Sequence, residues 1–172
     1  MGLATDLGYS HTSANPLQRL VRWFAGTPVG GVVFSRSLRH LDDLVGRLSK
    51  GRQSAPGLLA GLAVLDVTTT GRKSGQPRTS HLIATPYDTT LALLGTNFGQ
   101  ESTPAWVLNL EADPRATVTY RNVARAVVAR PATPEEAEEI FALASEFYPG
   151  YGHYRTRVGS TRRIRAFVLT PA

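Results

Sequence analysis

The chain has 172 residues, 42% of them hydrophobic, with a formal charge of +6 and no cysteine. That length supports one domain with a substantial core, and the lack of cysteine excludes a disulfide framework, a thiol nucleophile and thiolate metal sites, as in a reducing compartment. The positive excess sits in the first third, where residues 1–60 hold seven Arg/Lys against three Asp/Glu, while residues 131–172 hold five of each; charge of this kind suits nucleic acid, an anionic membrane surface or an acidic small molecule alike.

Residues 1–14 show no period and read as a mobile tail. Asn15 is placed to cap a helix with Pro16 at its first position, and Leu17, Leu20, Val21 and Phe24 follow on one face. A second amphipathic helix is expected over residues 38–48, with Leu38, Leu41, Leu44, Val45 and Leu48 together. Their basic polar faces, with Trp23 nearby, could rest on anionic lipid, although covering the core or another subunit is the plainer expectation. Arg19 and Arg22 interrupt the first apolar segment and the run over residues 55–65 is too short to cross a bilayer. A cytoplasmic protein is expected, at most touching the inner face of the membrane.

Beyond residue 57 the character changes to short strands, over residues 62–69, 79–85 and 90–95, the last two joined by a turn over residues 86–89. Between the first two lies TTTGRKSGQPRT, residues 68–79. Gly71 and Gly75 permit a concave turn with exposed N–H groups, and Arg72, Lys73 and Arg78 add charge suited to phosphate oxygens. An ordinary solvated hairpin turn fits the same residues, and the glycine spacing of a Walker loop or a dinucleotide fingerprint is missing. In STPAWVLNLEADP, Thr103 is placed to cap a helix, Pro104 fits its first position and Asp113-Pro114 stops it, with Trp106, Asn109 and Leu110 on one face. Residues 116–120 and 123–129 read as a hairpin across Arg121-Asn122. Thr133 and Glu136 form a capping-box pattern for a helix ending near Tyr148, where Pro149-Gly150 follows, and residues 163–170 supply a last strand. The pattern is an α+β domain built on an antiparallel sheet or barrel. His11, His40, His81 and His153 have no ligand spacing, so no metal is expected, and no nucleic-acid recognition element accompanies the dispersed cations.

Three segments in this order, TTTGRKSGQPRT, PAWVLNLEADP and FYPGYGHY, make residues 62–169 similar to the deazaflavin (F420)-dependent nitroreductases, a family of F420-dependent reductases acting on quinones and nitroimidazoles. The resemblance implies a split β-barrel of about six mainly antiparallel strands over residues 56–172, related to flavin-binding pyridoxamine-phosphate oxidases, with residues 1–55 as a variable helical leader. It implies coenzyme F420, with its ribityl phosphate and oligoglutamate tail, as cofactor. Arg72, Lys73 and Arg78 would hold the phosphate and tail, with Ser74, Gln76, Pro77 and Thr79 beside them. Leu94, Gly95, Thr96 and Asn97 match the segment along the deazaflavin, and Ala105, Trp106 and Asn109 match the helix start that closes over it. Trp106 as a core side chain and Asn109 as a helix-surface residue are the plainer alternatives.

Two departures stand out: Val107 follows Trp106 where the family commonly has Tyr, and His81 replaces a common Pro. His81 is thus either a cofactor or substrate contact or a satisfied strand histidine. Tyr151 and Tyr154 match positions on the substrate side, where a phenol can hydrogen-bond an acceptor oxygen and give a proton; with Tyr148 they could equally pack a loop. The expected activity is hydride transfer from reduced F420 to a small electron-poor acceptor, a quinone, enone or nitroaromatic. An FMN-dependent reductase on the same fold, and a non-catalytic cofactor- or membrane-binding module, are the alternatives. A homodimer is compatible with the sequence.

Overall fold

The computed structural model describes residues 2–11, 62–97, 100, 102–158 and 163–172. The helices expected over residues 15–24 and 38–48 lie outside these. In chain order the described elements are helix α1 (Leu3–Leu7), strands β1 (Val64–Thr70), β2 (Pro77–Tyr87) and β3 (Thr90–Leu94), helix α2 (Ala105–Ala112), strands β4 (Arg115–Tyr120) and β5 (Val123–Pro131), helices α3 (Pro134–Phe147) and α4 (Gly150–Val158), and strand β6 (Ala166–Pro171). Among the described helices none is long and apolar enough to cross a membrane.

The strands close into an all-antiparallel barrel in the order β1-β2-β3-β6-β5-β4. Alternation sorts its side chains. Leu65 and Val67 of β1, Leu91 and Leu93 of β3, Val118 of β4, Val127 and Ala129 of β5, and Phe167 and Leu169 of β6 fill the interior. Intervening residues such as Ala92, Leu94, Ala166 and Val168 face out and are covered by Ile140, Phe141 and Ala144 of α3 and by Tyr151 and Tyr154 of α4. This is the pattern that period-two alternation imposes on a barrel with a helical cover. Arg121 and Asn122 both take positive φ, 47° and 68°, as a two-residue hairpin turn matched to strand twist requires.

Two expectations are corrected at the helix starts. Pro104, with φ −58°, is the N-cap of α2 and no side chain caps that helix, so Thr103 does not serve there. The tyrosine segment is helical, since α4 runs through Gly150–Val158 instead of forming a loop. The capping box of α3 forms as its spacing requires: the Thr133 hydroxyl accepts from Glu136 N–H at 3.2 Å and Glu136 accepts from Thr133 N–H at 2.9 Å.

The largest correction concerns the N-terminus. Residues 3–9 are part of the core: Leu3 and Leu7 of α1 and the ring of Tyr9 are buried within the interior cluster. The Tyr9 hydroxyl donates to Ala63 O at 2.6 Å and accepts from Ala84 N–H at 2.9 Å, joining the start of β1 to the middle of β2. Leu3 and Leu7 each gain about 1.5–3 kcal/mol from burial, which a free tail would forgo. His11 extends the seam, 2.9 Å from Ala84 O and stacked on Phe147 with ring centroids 3.9 Å apart.

Tyr9→Phe keeps the ring and deprives the buried Ala84 N–H of its acceptor, and is expected to cost about 1–3 kcal/mol, read as a lower urea midpoint with unchanged slope. Glu136, held by Arg130 and the Thr133 N–H, titrates at about 2 instead of its ordinary 4.5. A carboxyl lowered in the folded state adds stability above about pH 4.5 that is lost as pH falls toward 2. Arg130→Met is expected to weaken that acid dependence in thermal melts across the window.

Candidate functional site

The turn between β1 and β2 is built by its own backbone. Gly71 N–H donates to Gln76 O at 2.8 Å, Ser74 and Gly75 N–H both donate to Gly71 O, and Gln76 N–H donates to the Ser74 hydroxyl at 3.3 Å. Gly75 has φ 66°, the left-handed conformation that glycine adopts without strain. Arg72 N–H is taken by Asn109 Oδ1 at 3.1 Å. Five of the six N–H groups from Gly71 to Gln76 therefore have internal acceptors. The expected anion nest of open N–H groups is not formed, because so tight a turn spends its donors on closing itself.

Any anion at this turn falls to the side chains. Arg72, Lys73 and Arg78 are exposed, and none of them is in an ion pair among the described residues. Other arginines are engaged: Arg115 with Asp113, Arg130 with Glu136, Arg155 with Glu138 and Arg165 with Glu111. Three clustered cations without a carboxylate repel one another, and a multivalent anion relieves that repulsion. The donor set thus fits the phosphate and carboxylates of an F420-type cofactor. Ser74 already bonds within the turn, Thr79 shares a 2.8 Å hydroxyl contact with Thr68, and Gln76 and Pro77 are exposed.

Helix α2 ties the turn to the barrel end. Asn109 is buried; its amide donates to the Thr69 hydroxyl at 3.0 Å while its carbonyl holds Arg72 N–H. Its role in this conformation is to position the turn. Trp106 packs in the interior cluster beside Phe167, ring centroids 6.0 Å apart, and so anchors α2, while Ala105 is exposed. Gly95 N–H donates to Arg165 O at 2.9 Å, and a Cβ there would lie 2.8 Å from Val107 Cγ2, so this glycine lets the end of β3 pass close to α2. Thr96 is buried, and the Asn97 amide reaches Ser102 O at 2.9 Å. Leu94 faces outward into the second cluster.

The tyrosines occupy that second cluster. The Tyr148 and Tyr154 hydroxyls lie 2.8 Å apart, and the Tyr151 hydroxyl points to Ile83 O of β2 at 3.5 Å, the long limit of a hydrogen bond. Burial, with the neighbouring Tyr154 second, pushes the Tyr151 phenol well above its ordinary range, so it stays protonated and is a weak acid. His81 pairs with Asp66 across β1 and β2, Nδ1 to Oδ1 2.6 Å, both side chains about half exposed.

Strand β2 joins these parts. Its outward residues run from Pro77 at the turn through Thr79 and His81 to Ile83, opposite Thr70, Thr68, Asp66 and Val64 of β1. Arg78 and Ser80 lie on its other face, opposite Thr69 and Val67. Sequence reasoning missed Ser80, which shares a face with Arg78, and Asp66, whose link to His81 is visible only in the strand register.

The sequence profile of the F420H(2)-dependent quinone reductases matches residues 44–171. The chain belongs to that family. Coenzyme F420 is therefore its cofactor, and the reductase is an enzyme. It is 30% identical to a solved F420-H2 dependent reductase (FDR-A), over 63% of this chain and 94% of that one, with TM-score 0.57. A structure described as a domain-swapped dimer is 26% identical, over 74% of this chain and 95% of that one, with TM-score 0.59. A protein of unknown function from Agrobacterium tumefaciens, at 20% identity over 64% of this chain and 48% of that one, shares the fold with TM-score 0.50.

Asn109→Ala strips the acceptor from Arg72 N–H. Faster amide hydrogen exchange at Arg72 and a stability loss of about 1–3 kcal/mol are expected; exchange unchanged from the parent would contradict the positioning role.

Proposed function

We propose that the reductase holds the phosphate and glutamate tail of F420 with Arg72, Lys73 and Arg78, and reduces a small electron-poor acceptor, a quinone, enone or nitroaromatic, beside the tyrosine helix. The observation that carries this reading is the trio of exposed cations, none in an ion pair among the described residues, at the end of β2, the strand that leads to Tyr151. In this arrangement Gly95, Thr96 and Asn97 border the heterocycle, and Trp106 and Asn109 hold α2 and the turn in register around it. When bound, the reduced cofactor supplies a hydride.

The chain's own contribution is to bind, orient and exclude water. The cationic turn fixes one end of a long ligand, leaving its other end to lie along β2. Tyr151 and Tyr154 are buried in the second cluster; turned toward an acceptor, they would offer a largely apolar wall carrying hydroxyls, which suits a flat acceptor with one or two oxygens. With its acidity suppressed, the Tyr151 phenol serves as a hydrogen-bond donor that steers an acceptor oxygen. The amphipathic leader, if it lies on lipid, would place a membrane-dissolved quinone within reach.

The test is fluorescence titration with purified F420, followed by oxidation of its reduced form with a panel of quinones, enones and nitroaromatics. Arg72→Ala and Arg78→Ala are each expected to weaken F420 binding roughly tenfold or more, the cost of a lost charge-assisted hydrogen bond, with salt weakening the parent protein more than the variants. Tyr151→Phe should change KM and kcat for acceptors and leave F420 affinity near parental. Saturable F420 binding that ignores all three cations would sink the assignment.

A further inference from the structure

We propose that Asp66 and His81 form a proton-delivery pair for the acceptor, with His81 the donor and Asp66 its positioning residue; this rests on the cofactor arrangement just described. His81 lies on β2, the strand that links the two halves of the candidate site, and Asp66 faces it from β1. Thr79, two residues before His81, borders the cationic turn, and Ile83, two residues after it, receives Tyr151 through its carbonyl. At roughly 3.3 Å per residue, His81 stands about 7 Å from each. It is the midpoint of the path along which the ligand would lie.

The chemistry of the reaction calls for such a group. Converting a quinone to a hydroquinone takes up two electrons and two protons, and a hydride carries both electrons with one proton. Hydride arrival at the acceptor opens a C=O π system and leaves negative charge on oxygen; a second proton must reach that oxygen. The tyrosines are poorly suited to give it. The Tyr151 phenol is made less acidic by burial, and the Tyr154 hydroxyl is engaged with Tyr148. An imidazolium ordinarily titrates near neutrality and transfers a proton readily there. In the proposed step the His81 Nε2–H bond breaks, an O–H bond forms on the acceptor, and the ring becomes neutral until solvent reprotonates it.

The geometry assigns the two nitrogens. Asp66 Oδ1 lies 2.6 Å from His81 Nδ1, so the carboxylate accepts the Nδ1 proton, holds the ring against β1 and leaves proton transfer to Nε2. Among the described residues, the side chains that the strand register places beside the pair are Thr119 of β4, across from Asp66, Thr68 and Thr79 one rung nearer the turn, and Val64 and Ile83 one rung farther from it, none of them charged. Both partners are about half exposed, which gives solvent the access that reprotonation needs.

The experiment uses the full chain with F420 and a water-soluble benzoquinone, and reads histidine ring nitrogen and carbon NMR signals alongside turnover. The His81 signals, assigned by their loss in His81→Gln, are expected to shift when F420 is added. Turnover of the parent protein should fall as pH rises and the ring loses its proton. His81→Gln should lose that limb and run roughly 100-fold slower, while F420 affinity stays within about twofold, well under the tenfold effect of a lost charge contact. Asp66→Asn should alter the ring tautomer signature and slow turnover less. Added imidazole should partly restore His81→Ala. If His81→Gln binds F420, turns over at the parental rate and keeps the parental pH profile, the proton-delivery role is wrong and the cofactor assignment stands. If F420 neither binds the parent protein nor shifts the His81 signals, the cofactor arrangement fails and this inference falls with it.

Discussion

Strand β2 divides its partners, and the rest of the molecule follows from that division. Its first seven residues, Pro77 to Ile83, are laddered to β1, and its last four, Ala84 to Tyr87, to β3. The sheet turns a corner at the join, which is how a six-stranded ladder closes without a long extra connection. The corner is braced from inside by Tyr9, whose hydroxyl bonds Ala84 N–H where the ladder changes hands. One continuous strand then carries a cationic turn at one end, the imidazole that meets the Asp66 carboxylate of β1 in the middle and a phenol contact beyond it.

Charge is distributed with the same economy. Acidic residues on α3 neutralise Arg130 and Arg155, and Asp113 and Glu111 take Arg115 and Arg165, so much of the surface is locally balanced. Among the described residues the β1–β2 turn, like Arg121 and Arg125 of the β4–β5 hairpin, has cations in no ion pair. Exposed ion pairs contribute little to stability, so the cost of leaving Arg72, Lys73 and Arg78 outside the described ion pairs is small. The benefit is a standing attraction for a ligand carrying several negative charges.

The features legible in the sequence were those written locally. Two hairpins, the capping box at Thr133 and the basic turn depend on residues within a few positions of one another, and each stands close to where its spacing put it. What was not legible depends on distant partners. Nothing around residues 3–9 announces a core segment, because its apolar content is modest and its bonding partners lie 54 and 75 residues away. Asn109 has the look of a helix-surface polar residue until the turn is folded against it, and Asp66 reads as an interruption in an apolar strand until its register with His81 is known. The glycines and proline of FYPGYGHY suggest a loop, and packing against the outer barrel face overrides that preference. The open N–H nest failed for the opposite reason: the local rule for glycine turns is sound, but a turn this short satisfies itself first.

The buried segment also joins distant parts of the chain. Residues 3–9 precede every described strand, yet their resting place is walled by β1, β2, β3, β5 and β6, the last in chain order among the described strands. Contacts between residues 3–9 and β6 are far apart in sequence, and contacts of that kind raise contact order, which slows folding. Leu3, Leu7 and Tyr9 brace the closed barrel by packing against strands that are far apart in sequence, and a bulky group fused just ahead of them would act on that bracing before it touched anything at the cofactor turn.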